Sequence, residues 1–303
     1  MKYVTYENRE AWLAARKNWV GASEVASIIL PEHDRPKWMR SPYAVWALKR
    51  GVIDNVVETP LMRWGQKLEG VIADEAVEQL RETFPAVLAK ECTYQVWQHP
   101  DAPLAATPDR LLYLDTHTIA LLECKFARAA AAWTDGPPLY YQIQVQAQLA
   151  CTGLSRAWIA ALIGGYDFRL YEQTRNDAFI HRMLEAVRRF WAHVESGDPP
   201  EIDGAESTSD AIAARYFSDN GETVMLSPEF VDLDERLQQL KTEIAERTRE
   251  ESEILNKIKT AIGDAKYGML PHCRYSYSTV DVPEKQVTVP AKHYRVLRRA
   301  ERE

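Results

Sequence analysis

The chain holds 303 residues, with 37 Lys and Arg against 44 Asp and Glu, a formal charge of -7 and 46 % apolar residues. Its 13 glycines and 16 prolines are scattered, which excludes disordered, collagenous and low-complexity classes, and the length suits one large domain or one domain with an appendage. The charged start, MKYVTYENREAW, lacks a signal-like apolar stretch, and the longest clean apolar run, 157–165, is too short to cross a bilayer. A soluble, intracellular protein with no membrane partner is expected. Cysteines at 92, 124, 151 and 273 lack C-x-x-C spacing, so neither an iron–sulfur cluster nor a structural zinc is expected.

Residues 7–19 read as a short amphipathic helix, and Gly21-Ala22-Ser23 as a turn in which Ser23 caps the next apolar segment, 25–30. The first fifty residues carry +4 in an otherwise acidic chain, and a local basic surface of this kind suffices for a phosphate-bearing partner. A Pro-rich basic loop leads to a helix near 43–50. A long helix follows over 61–83, with Leu68, Ile72, Ala76 and Leu80 four apart. Strands are expected at 93–98, 111–114 and 119–126, the last two joined by a turn at Asp115-Thr116-His117. A helix over 140–152 precedes a hairpin, 156–163 with 167–172, turning at Gly164-Gly165. Asn176 opens a helix that stops near Gly197. Residues 204–228 read as a linker. Beyond it, Leu233, Leu237, Leu240, Ile244, Ile254 and Ile258 take heptad positions, interrupted by Arg247 and Glu251, which suggests a helical arm. A small hairpin of 274–280 with 286–289 closes the chain.

The chemistry concentrates at Thr107-Pro108-Asp109-Arg110 and Glu123-Cys124-Lys125. Glu123 and Lys125 stand two apart in an otherwise apolar strand, so they share a face. Asp109, at the start of the neighbouring strand, can approach Glu123 across the ladder. Two carboxylates beside a lysine suit a Mg²⁺ site that activates water; a solvated edge-strand pair is the competing reading of E-x-K. Glu69 lies on the apolar side of its helix, Gln144 one turn before Gln148, and Arg16 close before Ser23, where guanidinium and hydroxyl could meet one phosphate.

In order, RKNWVGASEV, RWGQKLEG, PLAATPDRLL, ALLECKFA, YYQIQVQAQLACTG and WIAALIGGYDFRLYE resemble the YqaJ-type viral recombinase and lambda exonuclease family of the PD-(D/E)XK nuclease superfamily. The resemblance covers roughly residues 5–203. It implies a restriction-endonuclease-like α/β fold, a mixed central sheet flanked by helices, in a nuclease core over 1–203. The C-terminal helical arm and small β element, 229–303, go beyond the shorter lambda-type enzyme.

By the same resemblance, Asp109, Glu123 and the Cys124 carbonyl ligate Mg²⁺, for which Mn²⁺ substitutes. Lys125 orients or deprotonates the attacking water, Glu69 supports the metal through ligation or bound water, and Gln144 contacts the nucleophile or the lysine. Arg16 and Ser23 hold a terminal 5′-phosphate. The implied activity is 5′-to-3′ digestion of linear duplex DNA in phage-type recombination. The implied partners are duplex DNA with a free end, further copies in a ring-shaped trimer and a single-strand annealing recombinase. A structure-selective or nicking endonuclease is the nearest alternative. An inactive DNA-binding or assembly protein is disfavoured because Asp109, Glu123, Lys125 and Glu69 are all present.

Overall fold

The alternating and continuous apolar runs of residues 88–174 fold into a sheet that is covered on both faces. A computed structural model describes residues 3–54, 59–284 and 294–299, and the chain divides into two compact units, Met1–Phe217 and Ser218–Glu303. In chain order the first unit contains β1 (Val4–Thr5), α1 (Arg9–Ala15), β2 (Val20–Gly21), α2 (Val25–Ile29), α3 (Pro42–Lys49), α4 (Pro60–Leu80), β3 (Leu88–Glu91) and β4 (Gln95–Gln98). It continues with β5 (Leu104–Ala106), β6 (Arg110–Tyr113), β7 (Ile119–Ala127), α5 (Leu139–Thr152), β8 (Arg156–Ile163), β9 (Asp167–Thr174), α6 (Asp177–Ser196) and α7 (Glu206–Arg215).

The main sheet has the order β3-β6-β7-β8-β9, with β7 and β8 parallel and the other pairs antiparallel. It is thus the expected mixed sheet flanked by helices. Period-two alternation sends Leu112, Ala120, Leu122, Trp158 and Ala160 to one face, where α4 packs through Ile72, Ala76 and Leu80. The opposite face carries Leu111, Leu121, Ala157, Ile159 and Ala161 into the larger core with α2, α3, α5 and α6. A smaller sheet, β1-β4-β5-β2, pairs β2 with β5 in parallel and sets the segment around Gly21 beside Ala105.

Several boundaries differ from the sequence reading for identifiable reasons. The strand expected from residue 93 begins at Gln95, because Tyr94 takes a φ of 55°, a left-handed conformation that breaks an extended run. β3 is exposed throughout and β5 buried throughout, so neither alternates. Within the stretch read as a linker, α7 forms and packs on α3; Thr208 and Ala211 are its only buried residues. Thr208 Oγ1 donates to Ser41 Oγ at 2.6 Å, and Arg35 pairs with Asp203. The β8–β9 turn is as expected, with Gly164 and Gly165 at φ 63° and 85°, the double left-handed conformation of a tight hairpin.

The second unit comprises α8 (Glu229–Ile262), β10 (Tyr267–Met269) and β11 (Arg274–Ser276). A hairpin forms between 267–269 and 274–276, and the expected strand 286–289 lies outside the described residues. Among the described residues, no helix is long and apolar enough to cross a membrane.

Asn176 caps α6 by accepting from the Phe179 amide at 3.0 Å. Replacing it with Ala removes one of the few acceptors available to the first-turn amides. A loss of about 1 kcal/mol in the unfolding free energy of the first unit is expected by urea titration.

Candidate active site

The β6–β7 ladder pairs Arg110 with Leu122 and Leu111 with Leu121, so one step further along the same register Asp109 stands opposite Glu123. Glu123 and Lys125 project from the face that α5 covers. The Glu123 carboxylate is 3 % exposed and is surrounded by donors. Gln144 Nε2 donates to its Oε1 at 2.5 Å, Gln148 Nε2 to its Oε2 at 2.6 Å, and Lys125 Nζ also donates to Oε1. The lysine ammonium lies 4.8 Å from the centre of the Tyr141 ring. Burial alone would push Lys125 down, but Glu123 and Asp109 more than reverse this and hold it above the ordinary lysine range.

Asp109 feels the opposite balance. Burial, then the nearby Glu123, raise its carboxyl well above the usual aspartate range, and Lys125 offsets only part of this. Its Oδ2 accepts the Cys124 amide at 2.7 Å. A strand residue's N–H and C=O point to the same edge, so the Cys124 carbonyl faces that side as well. The Cys124 side chain packs instead against the α4 face, among Ile72, Leu122 and Ala160.

These groups fit a divalent cation with oxygen ligands. Two mutually repelling carboxylates and an edge-facing carbonyl suit a hard ion. In addition, Gln148 Oε1 is buried beside them with no hydrogen-bond partner. Among the described residues, no three Asp, Glu, His or Cys side chains converge as a ready metal set. Glu69 explains why: its Oε1 accepts from Arg110 Nη1 at 2.6 Å, so it stands beside the carboxylate pair without completing a triad. Arg110 in turn is raised above its ordinary value by that carboxylate, which outweighs the effect of burial.

Arg16, Ser23, Glu69, Asp109, Glu123, Gln144 and Gln148 all line one cleft of about 420 Å³. Arg16 ends α1 and lies 5.0 Å from the centre of the Trp12 ring, with its Nη2 3.7 Å from Glu24 Oε1. Ser23 is exposed within a single 3₁₀ turn, and the expectation that it caps the following helix is not met. Glu24 stands at that helix's N-cap position without a side-chain cap bond, and its Oε2 instead braces the 3₁₀ turn by accepting the Gly21 amide at 2.7 Å. Behind it, Lys49 Nζ donates to Glu24 Oε2 at 2.7 Å and to the Arg16 carbonyl at 2.8 Å. Burial would raise the Glu24 carboxyl, yet Lys49 and Arg16 bring it below its usual value.

The structure thus brings every anticipated site residue into one neighbourhood and adds Gln148, Arg110, Glu24 and Lys49. The i, i+4 spacing of Gln144 and Gln148 on an apolar helix was the visible signal for the first of these. Lys49 looks like an ordinary helix-ending lysine, and nothing local marks it. Of the tryptophans, Trp46, Trp97 and Trp133 are core residues, and Trp38 and Trp64 are exposed.

Residues 11–155 match the YqaJ-like viral recombinase domain. The uncharacterized protein YqaJ of Bacillus subtilis (strain 168) is 30 % identical over 275 residues, which span 87 % of this chain and 81 % of that protein. Among solved structures, an alkaline exonuclease from Laribacter hongkongensis aligns at 22 % identity with a TM-score of 0.49, over 62 % of this chain and 94 % of its own. A phage-related exonuclease from Haemophilus somnus 129PT aligns at 13 % identity with a TM-score of 0.41, over 59 % of this chain and 96 % of its own.

Lys49→Met tests the charge cluster behind the cleft. It leaves Glu24, 8 % exposed in its side chain, without its nearest counter-charge. Denaturant unfolding is expected to show a loss of about 3–5 kcal/mol, with much of it recovered when Glu24→Gln is added.

Proposed function

This chain belongs to the YqaJ-like viral recombinase family, and on that premise we propose that it is a metal-dependent deoxyribonuclease that digests linear duplex DNA from a 5′ end in phage-type recombination. The observation that carries the reading is the Asp109–Glu123 carboxylate pair, with Lys125 on the same face and Gln144 and Gln148 fixing the Glu123 oxygens. Asp109, Glu123 and the Cys124 carbonyl would hold Mg²⁺ or Mn²⁺. When bound, such an ion lowers the pKa of water and offsets charge on the attacked phosphate.

The protein's own groups do the rest. Lys125, kept protonated by its two carboxylate neighbours, orients the attacking water and takes up charge that develops on the phosphate. Gln144 and Gln148 set the orientation of Glu123, and Arg110 holds Glu69 at the rim of the cleft. Arg16 and the exposed Ser23 hydroxyl offer a charged fork and a neutral donor on the same cleft, a combination suited to a terminal 5′-phosphate. Further copies of the chain and a single-strand annealing protein complete the proposed set of partners.

Asp109→Ala, Glu123→Ala and Lys125→Ala are each expected to lower the initial rate on end-labelled linear duplex by at least about a hundredfold in Mg²⁺, with the fold retained by circular dichroism. A Glu123→Ala rate within tenfold of wild type, or full activity in excess chelator, overturns the assignment. A closed circular duplex serves as control, and its cleavage would move the reading to a nicking endonuclease.

Arg16→Ala is expected to reduce the preference for 5′-phosphoryl over 5′-hydroxyl ends by about a hundredfold, the value of one charge-assisted contact. Contacts elsewhere along the duplex persist, so bulk affinity and its salt slope should change little. An undiminished preference in the variant places the phosphate elsewhere.

A further inference from the structure

The second unit carries a surface that the nuclease reading does not use. α8 is 34 residues long, about 51 Å at helical rise, and none of its side chains is buried. Leu233, Leu237, Leu240 and Ile244 nevertheless follow the four-three spacing of a coiled-coil seam and are 37–63 % exposed. The spacing continues without a skip through Arg247, Glu251, Ile254 and Ile258. The seam is therefore continuous in register, and its two middle positions are charged. The β10–β11 hairpin follows α8, and its Tyr275 lines one groove with Arg247, Glu250, Glu251, Ile254, Leu255 and Ile258, so the hairpin flanks the seam there while Ile254 remains half exposed.

We propose that α8 pairs antiparallel with α8 of a second copy of this chain, each Arg247 facing Glu251 of the other copy. The charges decide the orientation. In a parallel, in-register pair, Arg247 would meet Arg247 and Glu251 would meet Glu251 inside the seam, two like-charge layers with no relief. Antiparallel pairing about residue 249 places Arg247 against Glu251 twice. The same reflection sets Ile244 against Ile254, Leu240 against Ile258 and Leu237 against Ala261, again twice each. Of these eight layers six are apolar and two are opposite-charge pairs.

The flanking positions largely agree. Glu243 and Lys257 lie on one row beside the seam and meet across the antiparallel pair. Glu250 approaches its own copy at the centre, where Arg247, 2.8 Å away on the same helix, offsets the repulsion. A polar break in the middle of a seam reads as a defect for a lone helix and as a register mark for a symmetric pair. The seam's self-complementarity names the occupant: a second copy needs no other surface to satisfy all four charges.

The test uses the full chain. Arg247→Glu and Glu251→Arg should each weaken α8-dependent self-association at least tenfold by analytical ultracentrifugation, since each places like charges in both central layers. The combined exchange, Arg247→Glu with Glu251→Arg, should return it to within threefold of wild type. Association through the first unit is common to all the variants, so differences between them report the α8 contact. In a Cys273→Ser background, Ile244→Cys chains mixed with Ile254→Cys chains should form a disulfide under mild copper-catalysed air oxidation, and neither should cross-link with itself. Single reversals that associate like wild type overturn the proposal. So does a combined exchange no better than the singles, or an Ile244→Cys self-cross-link, which would report a parallel pair.

Discussion

One buried carboxylate organises this protein. Glu123 sits in the middle strand of a sheet covered on both faces, where an ionised group without partners is disfavoured by several kcal/mol. Lys125 from the same strand and two glutamines from α5 meet that demand. Their positions then follow from it: α5 must lie with Gln144 and Gln148 over β7, and Lys125 must fold back along its own strand. Asp109 is drawn into the same field from the adjacent strand and is anchored there by the Cys124 amide. The ionic character of the cleft is therefore a property of the sheet's centre, although the cleft itself opens at the surface.

The other wall is built by a different device with the same logic. Glu24 and Lys49 form a nearly dry pair whose hydrogen bonds reach the Gly21 amide and the Arg16 carbonyl. These bonds tie the end of α1, the 3₁₀ turn and the end of α3 together. Arg16 is thus presented from a backbone that is fixed at its own carbonyl. Gly21 shows how close the packing is: a Cβ there would stand 3.1 Å from Glu24 and 3.4 Å from Arg16. Arg16 from this network and Glu123 from the other line a single cleft.

Legibility in the sequence divided along physical lines. Period two decided that Glu123 and Lys125 share a face, and constant register placed Asp109 opposite Glu123; both rules are local and both held in the structure. Asn176 and Gly164-Gly165 were readable because caps and tight turns depend on single residue types. Tyr94 was not, since a tyrosine seldom takes a left-handed φ and only its surroundings impose it. Lys49 gained its partner through tertiary packing of α3 against the turn, which no spacing encodes. α7 stayed hidden because a helix with two small buried residues has the composition of a polar loop. Glu69 lies beside the carboxylate pair, and its partner Arg110, adjacent to Asp109 in the chain, was the less obvious half of that contact.

The parallel pairing of β7 with β8 bears on how the chain reaches its native state. Parallel neighbours need a crossover, and here the crossover is α5, the element that carries Gln144 and Gln148. β7 can pair with β6 early through a short turn, but until α5 docks, two of the three donors to Glu123 are absent. Closing the sheet and solvating the carboxylate are consequently one event. An arrangement in which β8 pairs out of register would displace the helix and strand a charge in the core. The residues that line the candidate cleft thereby also penalise misregistered sheets, and proofreading of the fold is tied to the same atoms as the proposed chemistry.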